Sequence, residues 1–145
     1  MANDHKWLYA RIGLVTVGGL SGISITSPEV VAKSNVDWSA CVVLFLVCPF
    51  MLLFVVGIQA VNPLSAAVWR KPSWYINPFL VKEPLQFFHL AAFHFMVGGL
   101  VGIATLPFRS ASAAPLAISL LSIGAGVWLG VGLCMLVFSK KMEKG

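Results

Sequence analysis

Residues 114–138 read APLAISLLSIGAGVWLGVGLCMLVF, an apolar stretch without any Asp, Glu, Lys or Arg. An α-helix rises about 1.5 Å per residue, so a stretch of this length crosses the roughly 30 Å hydrocarbon core of a bilayer. Because lipid offers the backbone no hydrogen-bonding partner, such a segment has to satisfy its own amides and carbonyls. The stretch therefore predicts a transmembrane α-helix.

Composition extends this prediction to the rest of the chain. The 145 residues are 59% hydrophobic and 10% charged, whereas soluble domains carry about 25% charged residues. Mean hydropathy is +0.90, and the apolar residues form long blocks rather than an amphipathic pattern. We predict an all-α, polytopic membrane protein, a single transmembrane domain over residues 1–145 with four transmembrane helices in a bundle. The predicted spans are 8–27, 37–61, 86–106 and 114–138.

The first block is the least apolar of the four, because it carries Arg11, Thr16, Ser21 and Ser24. We expect it to depend on neighbouring helices for a favourable environment. A cleaved signal peptide is the competing interpretation, but no small-residue cleavage site follows the apolar run. An uncleaved signal anchor is therefore favoured.

The distribution of Lys and Arg predicts the orientation of the helices. Of the ten Lys and Arg, eight fall on one side of the predicted topology: Lys6, Arg11, Arg70, Lys71, Lys82, Lys140, Lys141 and Lys144. The opposite side has only Lys33 and Arg109. Because basic residues concentrate in cytoplasmic loops, the pattern places both termini and the 62–85 loop in the cytoplasm. The expected location is the bacterial inner membrane.

The 62–85 loop is the largest segment between predicted spans. Its prolines, Pro63, Pro72, Pro78 and Pro84, exclude a continuous helix. Aromatic and basic residues alternate in it, at Trp69, Arg70, Lys71, Trp74 and Tyr75. This composition is typical of a segment at the level of the lipid headgroups. Nucleic-acid binding uses similar residues, but the position between two spans favours the membrane interface. Docking of a partner protein is the other interpretation of this loop.

Two seven-residue segments resemble each other, VGGLSGI at 17–23 and VGGLVGI at 97–103. They lie in the first and third predicted spans, which run in the same direction. Duplication of a two-helix unit would give such a parallel 2+2 internal repeat. Chance similarity between glycine-rich apolar segments is the alternative.

Small residues recur at four-residue spacing in three of the predicted spans. This is the GxxxG pattern, which lets helix backbones approach closely. The positions are Gly18 and Gly22, Gly98 and Gly102, and Ser122, Gly126 and Gly130. We predict that these residues pack helices against each other in a tight bundle, an oligomer, or both.

Ionisable residues are nearly absent from the predicted spans, which disfavours a pump built on an intramembrane carboxylate. His94 shares a helix face with Gly98 and Gly102, so we interpret it as a neutral histidine with one interhelical hydrogen bond. Haem ligation or proton relay is the alternative role of His94. His89 lies about 140° from it around the helix, so the two cannot bind one metal.

No nucleophile and base pair, phosphate-binding glycine loop or metal motif is recognisable, and the three cysteines lie inside apolar blocks. We therefore expect neither enzymatic activity nor a cofactor. The leading hypothesis is an accessory, assembly or immunity-type protein that acts through contacts with another membrane protein or a second copy of itself. A small oligomeric channel or carrier for a neutral solute is the first alternative. A haem- or quinone-associated subunit of a respiratory complex is the second. No nucleic-acid partner is expected.

Overall fold

The computed structural model of the chain describes residues 2–60 and 84–142. These residues form helices and no strand, which confirms the all-α class. The five α-helices are α1 (Ala2–Ile25), α2 (Pro28–Lys33), α3 (Trp38–Ala60), α4 (Pro84–Thr105) and α5 (Ala114–Met142). Two single-turn 3₁₀ helices, Leu106–Phe108 and Ala111–Ala113, connect α4 to α5.

Three stretches within these helices are long and apolar enough to cross a membrane, namely Trp38–Val55, Phe88–Phe108 and Ala111–Val137. Within the described residues of α1 the apolar stretch is shorter and covers Ile12–Ile25. At 1.5 Å per residue it rises about 21 Å, less than the roughly 30 Å of a hydrocarbon core. Three spans, rather than the predicted four, are therefore evident from helix length and composition.

The helices are arranged side by side in the order α1, α4, α5, α3. Helix α4 packs against both α1 and α5, and α5 packs against both α4 and α3. Each of the outer helices α1 and α3 packs mainly against one neighbour. Burial follows this order, since 33% of Ala111–Val137 is buried but only 17% of Trp38–Val55. Helix α5 is therefore the centre of the described fold, and α3 is an edge.

Contacts along the helices give their relative directions. Helices α1 and α4 are parallel, because Gly18 lies opposite His94 and Thr26 lies opposite Thr105. Helices α3 and α5 are also parallel, because Cys41 contacts Pro115 and Leu52 contacts Gly130. Helices α4 and α5 are antiparallel, because Gly102 lies against Ala117 and Ala92 lies against Gly124. The directions match those of a 2+2 repeat. The duplication itself stays a prediction, because α4 packs directly on α5 whereas α1 and α3 pack mainly on other helices.

The core lies where α3, α4 and α5 meet. Leu52, Val131 and Cys134 are buried together, and Phe88 of α4 packs against them. Cys134 is 0% exposed and, like Cys41 and Cys48, is a free cysteine. A thiol in this environment serves as a small apolar side chain.

The connections at residues 26–37 and 106–113 lie at one end of the bundle, which we call the loop end. Helix α1 ends at Ile25 and α4 ends at Thr105, each shortly before a proline. The Thr26 hydroxyl oxygen lies 3.3 Å from the Thr105 hydroxyl oxygen, so the two helix ends are in contact. Asp37 caps α3, because its carboxylate accepts a hydrogen bond from the Ala40 N–H at 3.0 Å.

Candidate functional site

Contact between α1 and α4 is made by backbone atoms at the predicted glycines. A Cβ atom added to Gly22 would collide with the carbonyl oxygen of Gly98. One added to Gly18 would lie 3.1 Å from the His94 carbonyl oxygen, and one added to Gly98 would lie 3.1 Å from the Gly18 carbonyl oxygen. Because any side chain would occupy this space, only glycine allows the two helices to approach so closely.

Contact between α4 and α5 uses glycines that the four-residue spacing did not identify. A Cβ atom on Gly99 would lie 2.6 Å from the Leu121 backbone nitrogen, and one on Gly124 would lie 2.7 Å from the Ala92 carbonyl oxygen. Successive helical residues are about 100° apart. Gly98 can therefore contact α1 while its neighbour Gly99 contacts α5. The pair of consecutive glycines is the feature of the sequence that could have indicated two helix contacts.

Contact between α3 and α5 combines a proline with two glycines. Pro49 has no N–H, so the Phe45 carbonyl four residues earlier loses its helical partner. A Cβ atom on Gly126 would lie 3.0 Å from that carbonyl oxygen, and one on Gly130 would lie 2.9 Å from the Pro49 Cα. The glycines thus accommodate the proline. Ser122, the first member of the predicted stripe, is half-buried.

Both candidate histidines lie on α4 at different depths in the packing. His89 is 7% exposed and directly follows Phe88, which packs against the α3–α5 core. His94 is half-buried, its ring stands edge-on to Phe95 with centroids 5.8 Å apart, and its backbone faces α1. Within residues 2–60 and 84–142 no group of three His, Cys, Asp or Glu could hold a metal ion. Roles of the histidines in haem binding or proton transfer stay untested.

Several polar side chains lie at the loop end of the bundle. Thr26 is 1% exposed, and its hydroxyl donates to the Gly22 carbonyl at 3.0 Å. The Thr105 hydroxyl donates to the Gly102 carbonyl at 2.7 Å. Beyond this pair, Arg109 lines a cavity between α2 and the α4–α5 connection. In the sequence Arg109 contributes only to the distribution of basic residues between the two sides of the membrane.

The predicted membrane-interface residues, Trp69, Arg70, Lys71, Trp74 and Tyr75, lie outside the residues that the structure describes. Their role therefore stays a prediction.

Comparison with protein-family models, curated proteins and solved structures found no match to this chain. The fold alone defines its class. Three apolar helices of sufficient length, packed within an all-helical arrangement, indicate an integral membrane protein.

Proposed function

We propose that the chain is a non-enzymatic membrane protein that acts by binding another integral membrane protein along the outer side of α3. The supporting observation is the composition of the interior. In the described part of the chain the buried polar side chains are Thr26, His89 and Ser119. Ser119 satisfies its hydroxyl within α5 by donating to the Leu116 carbonyl. Three isolated polar side chains do not line a path for a solute through the described helices. We therefore place the functional contact on the outer surface of the bundle.

The outer side of α3 is the favoured binding surface because α3 is an edge helix held mainly by α5. Val43, Leu46, Phe50 and Phe54 are exposed on it, with Phe50 69% exposed. Their spacing of three to four residues places them on one side of the helix. Large apolar side chains along one stripe can act as knobs in knobs-into-holes packing with a partner helix.

We also propose that α1 is a fourth span. Helix α1 has 24 residues and is long enough as a helix, although its first residues are polar. It is parallel to α4 and contacts it from Gly18 to Thr26, so it runs beside a segment that crosses the membrane. Four spans place both termini and the 62–85 loop together, and the excess of Lys and Arg favours the cytoplasm of a bacterial inner membrane.

Purification without crosslinker from native membranes tests the binding proposal. We expect the tagged chain, extracted into lipid nanodiscs, to bring down one membrane protein at fixed stoichiometry. The double change Leu46→Ala and Phe50→Ala should remove that protein. Leu100→Ala is the matched control, because Leu100 of α4 is 57% exposed against 53% for Leu46.

Three results would contradict the proposal. Equal loss of the partner in the Leu100→Ala variant would show a general effect of apolar surface. Solute flux through liposomes containing the purified chain alone would favour a channel. Visible absorbance of the purified protein would favour a haem subunit.

A further inference from the structure

A cavity of about 250 Å³ opens at the loop end, apart from the glycine contacts and the outer side of α3. Val31 and Ala32 of α2 form one wall of this cavity, and Arg109, Ser110 and Ser112 form the other. Its volume corresponds to roughly eight water molecules at about 30 Å³ each. The cavity can therefore hold a phosphate group together with part of a glycerol backbone.

The donors of the cavity suit an oxyanion. Arg109, which lines the cavity, offers guanidinium N–H groups that can donate to phosphate oxygens. The Ser110 and Ser112 hydroxyl oxygens lie 2.7 Å apart, so one hydroxyl donates to the other and the accepting hydroxyl keeps its own O–H for a ligand. One fixed positive charge with adjacent hydroxyl donors is the chemistry that binds phosphate oxygens.

The position of the cavity favours a lipid over a free anion. Arg109 lies between the apolar stretch that ends at Phe108 and the one that begins at Ala111. A residue between two consecutive spans is expected at the level of the headgroups. Phe108 beside it is 87% exposed, so an apolar ring next to the cavity is available for contact with acyl chains. The opposite wall is apolar at Val31 and Ala32 and would contact the first methylenes of an acyl chain.

We propose that this cavity binds one phospholipid through its phosphate diester, with Arg109 as the cation that holds it. Binding there bridges α2 to the α4–α5 connection. It is independent of the protein contact proposed for α3.

Native mass spectrometry with palmitoyl-oleoyl phosphatidylglycerol as the probe tests this site. We expect the purified parent to retain one lipid per chain, and Arg109→Gln to weaken retention about tenfold, since one charge-assisted hydrogen bond is lost. Lys33→Gln is the matched control: it removes the same charge at the same end, but Lys33 is exposed and does not line the cavity. Ala32→Phe fills the cavity without changing charge and should also weaken retention.

Each result has a defined meaning once thermal unfolding shows that the variants are folded. Equal weakening of lipid retention by Lys33→Gln and Arg109→Gln would show that lipid binding depends only on surface charge, and would overturn the proposal. Unchanged retention in Ala32→Phe would place the lipid elsewhere. Displacement by inorganic phosphate at the lipid's own concentration would identify a free-anion site instead of a lipid site.

Discussion

Glycines 13 and 22 of α1 allow a comparison within one helix. A Cβ atom on Gly22 would meet the backbone of Gly98, whereas one on Gly13 has nothing within 4 Å. We expect Gly22→Ala to destabilise the fold by about 1–3 kcal/mol, because the backbones must separate to admit a methyl group. Gly13→Ala should be neutral or stabilising by up to about 1 kcal/mol, because alanine is the better helix former. Thermal unfolding in detergent, followed by circular dichroism, measures the stability of both variants. Equal losses of stability would show that the contact between α1 and α4 is not the cause.

Asp37 gives a pH dependence with a defined sign. The Ser39 hydroxyl, which donates to its carboxylate at 2.7 Å, and then the Ala40 N–H hold the pKa of Asp37 below its ordinary value of 3.8. A lowered pKa in the folded state means that the cap stabilises α3 at neutral pH and that this contribution is lost as the pH falls below 3.8. Asp37→Asn retains a capping oxygen that does not titrate.

Thermal unfolding at pH 7 and at pH 3 checks this expectation. The parent should lose more stability on acidification than the Asp37→Asn variant, because other carboxyl groups titrate equally in both. Identical acid sensitivity would show that the cap does not contribute.

At the scale of elements, the parallel alignment of α1 and α4 can be tested by crosslinking. The Thr26 and Thr105 hydroxyls are 3.3 Å apart, so cysteines at both positions should form a disulfide on mild oxidation. In a background where the native cysteines are alanine, a protease site inserted between residues 61 and 83 separates the halves of the chain. We expect the Thr26→Cys, Thr105→Cys chain to run as one band on a non-reducing gel after cleavage.

The control for this crosslink replaces Ser24 instead of Thr26. Ser24 is exposed and lies about 200° away around α1, so the Ser24→Cys, Thr105→Cys chain should separate into two fragments. Crosslinking of both pairs with equal yield would mean that α1 is not held in one orientation.

Hydropathy predicted α3, α4 and α5, because lipid forces an apolar segment of sufficient length to be helical. Hydropathy could not predict the order α1, α4, α5, α3. The spacing of small residues shows which face of a helix can pack closely, but not which helix packs against that face. Gly99 and Gly124 illustrate this limit, because they face a partner outside the four-residue stripes. The contact between Thr26 and Thr105 could not be predicted either, because no pattern in the sequence relates two threonines so far apart along the chain.

For the whole molecule, the number of spans decides which compartments the two ends face. With α1 spanning, residue 3 lies on the same side as residue 73; without it, residue 3 lies with residues 35 and 112. The helix directions support the first arrangement, since neighbours α1 and α4 are parallel and α4 and α5 are antiparallel. The 26–37 and 106–113 connections then share one compartment, in which the proposed lipid site lies.

Single cysteines at Asn3, Asn35, Ser73 and Ser112, treated with a membrane-impermeant thiol reagent, test this topology. Asn35 and Ser112 are exposed at the loop end, so Asn35→Cys and Ser112→Cys should react in intact cells. Asn3→Cys and Ser73→Cys should react only after permeabilisation, because the excess of Lys and Arg predicts a cytoplasmic location for both segments. The unaltered chain is the control, since Cys41 and Cys134 are buried and Cys48 is half-buried within a span. Reaction of Asn3→Cys together with Asn35→Cys and Ser112→Cys would leave α1 as a peripheral helix beside three spans. Reaction of both Asn3→Cys and Ser73→Cys, with the other two positions protected, would invert the orientation.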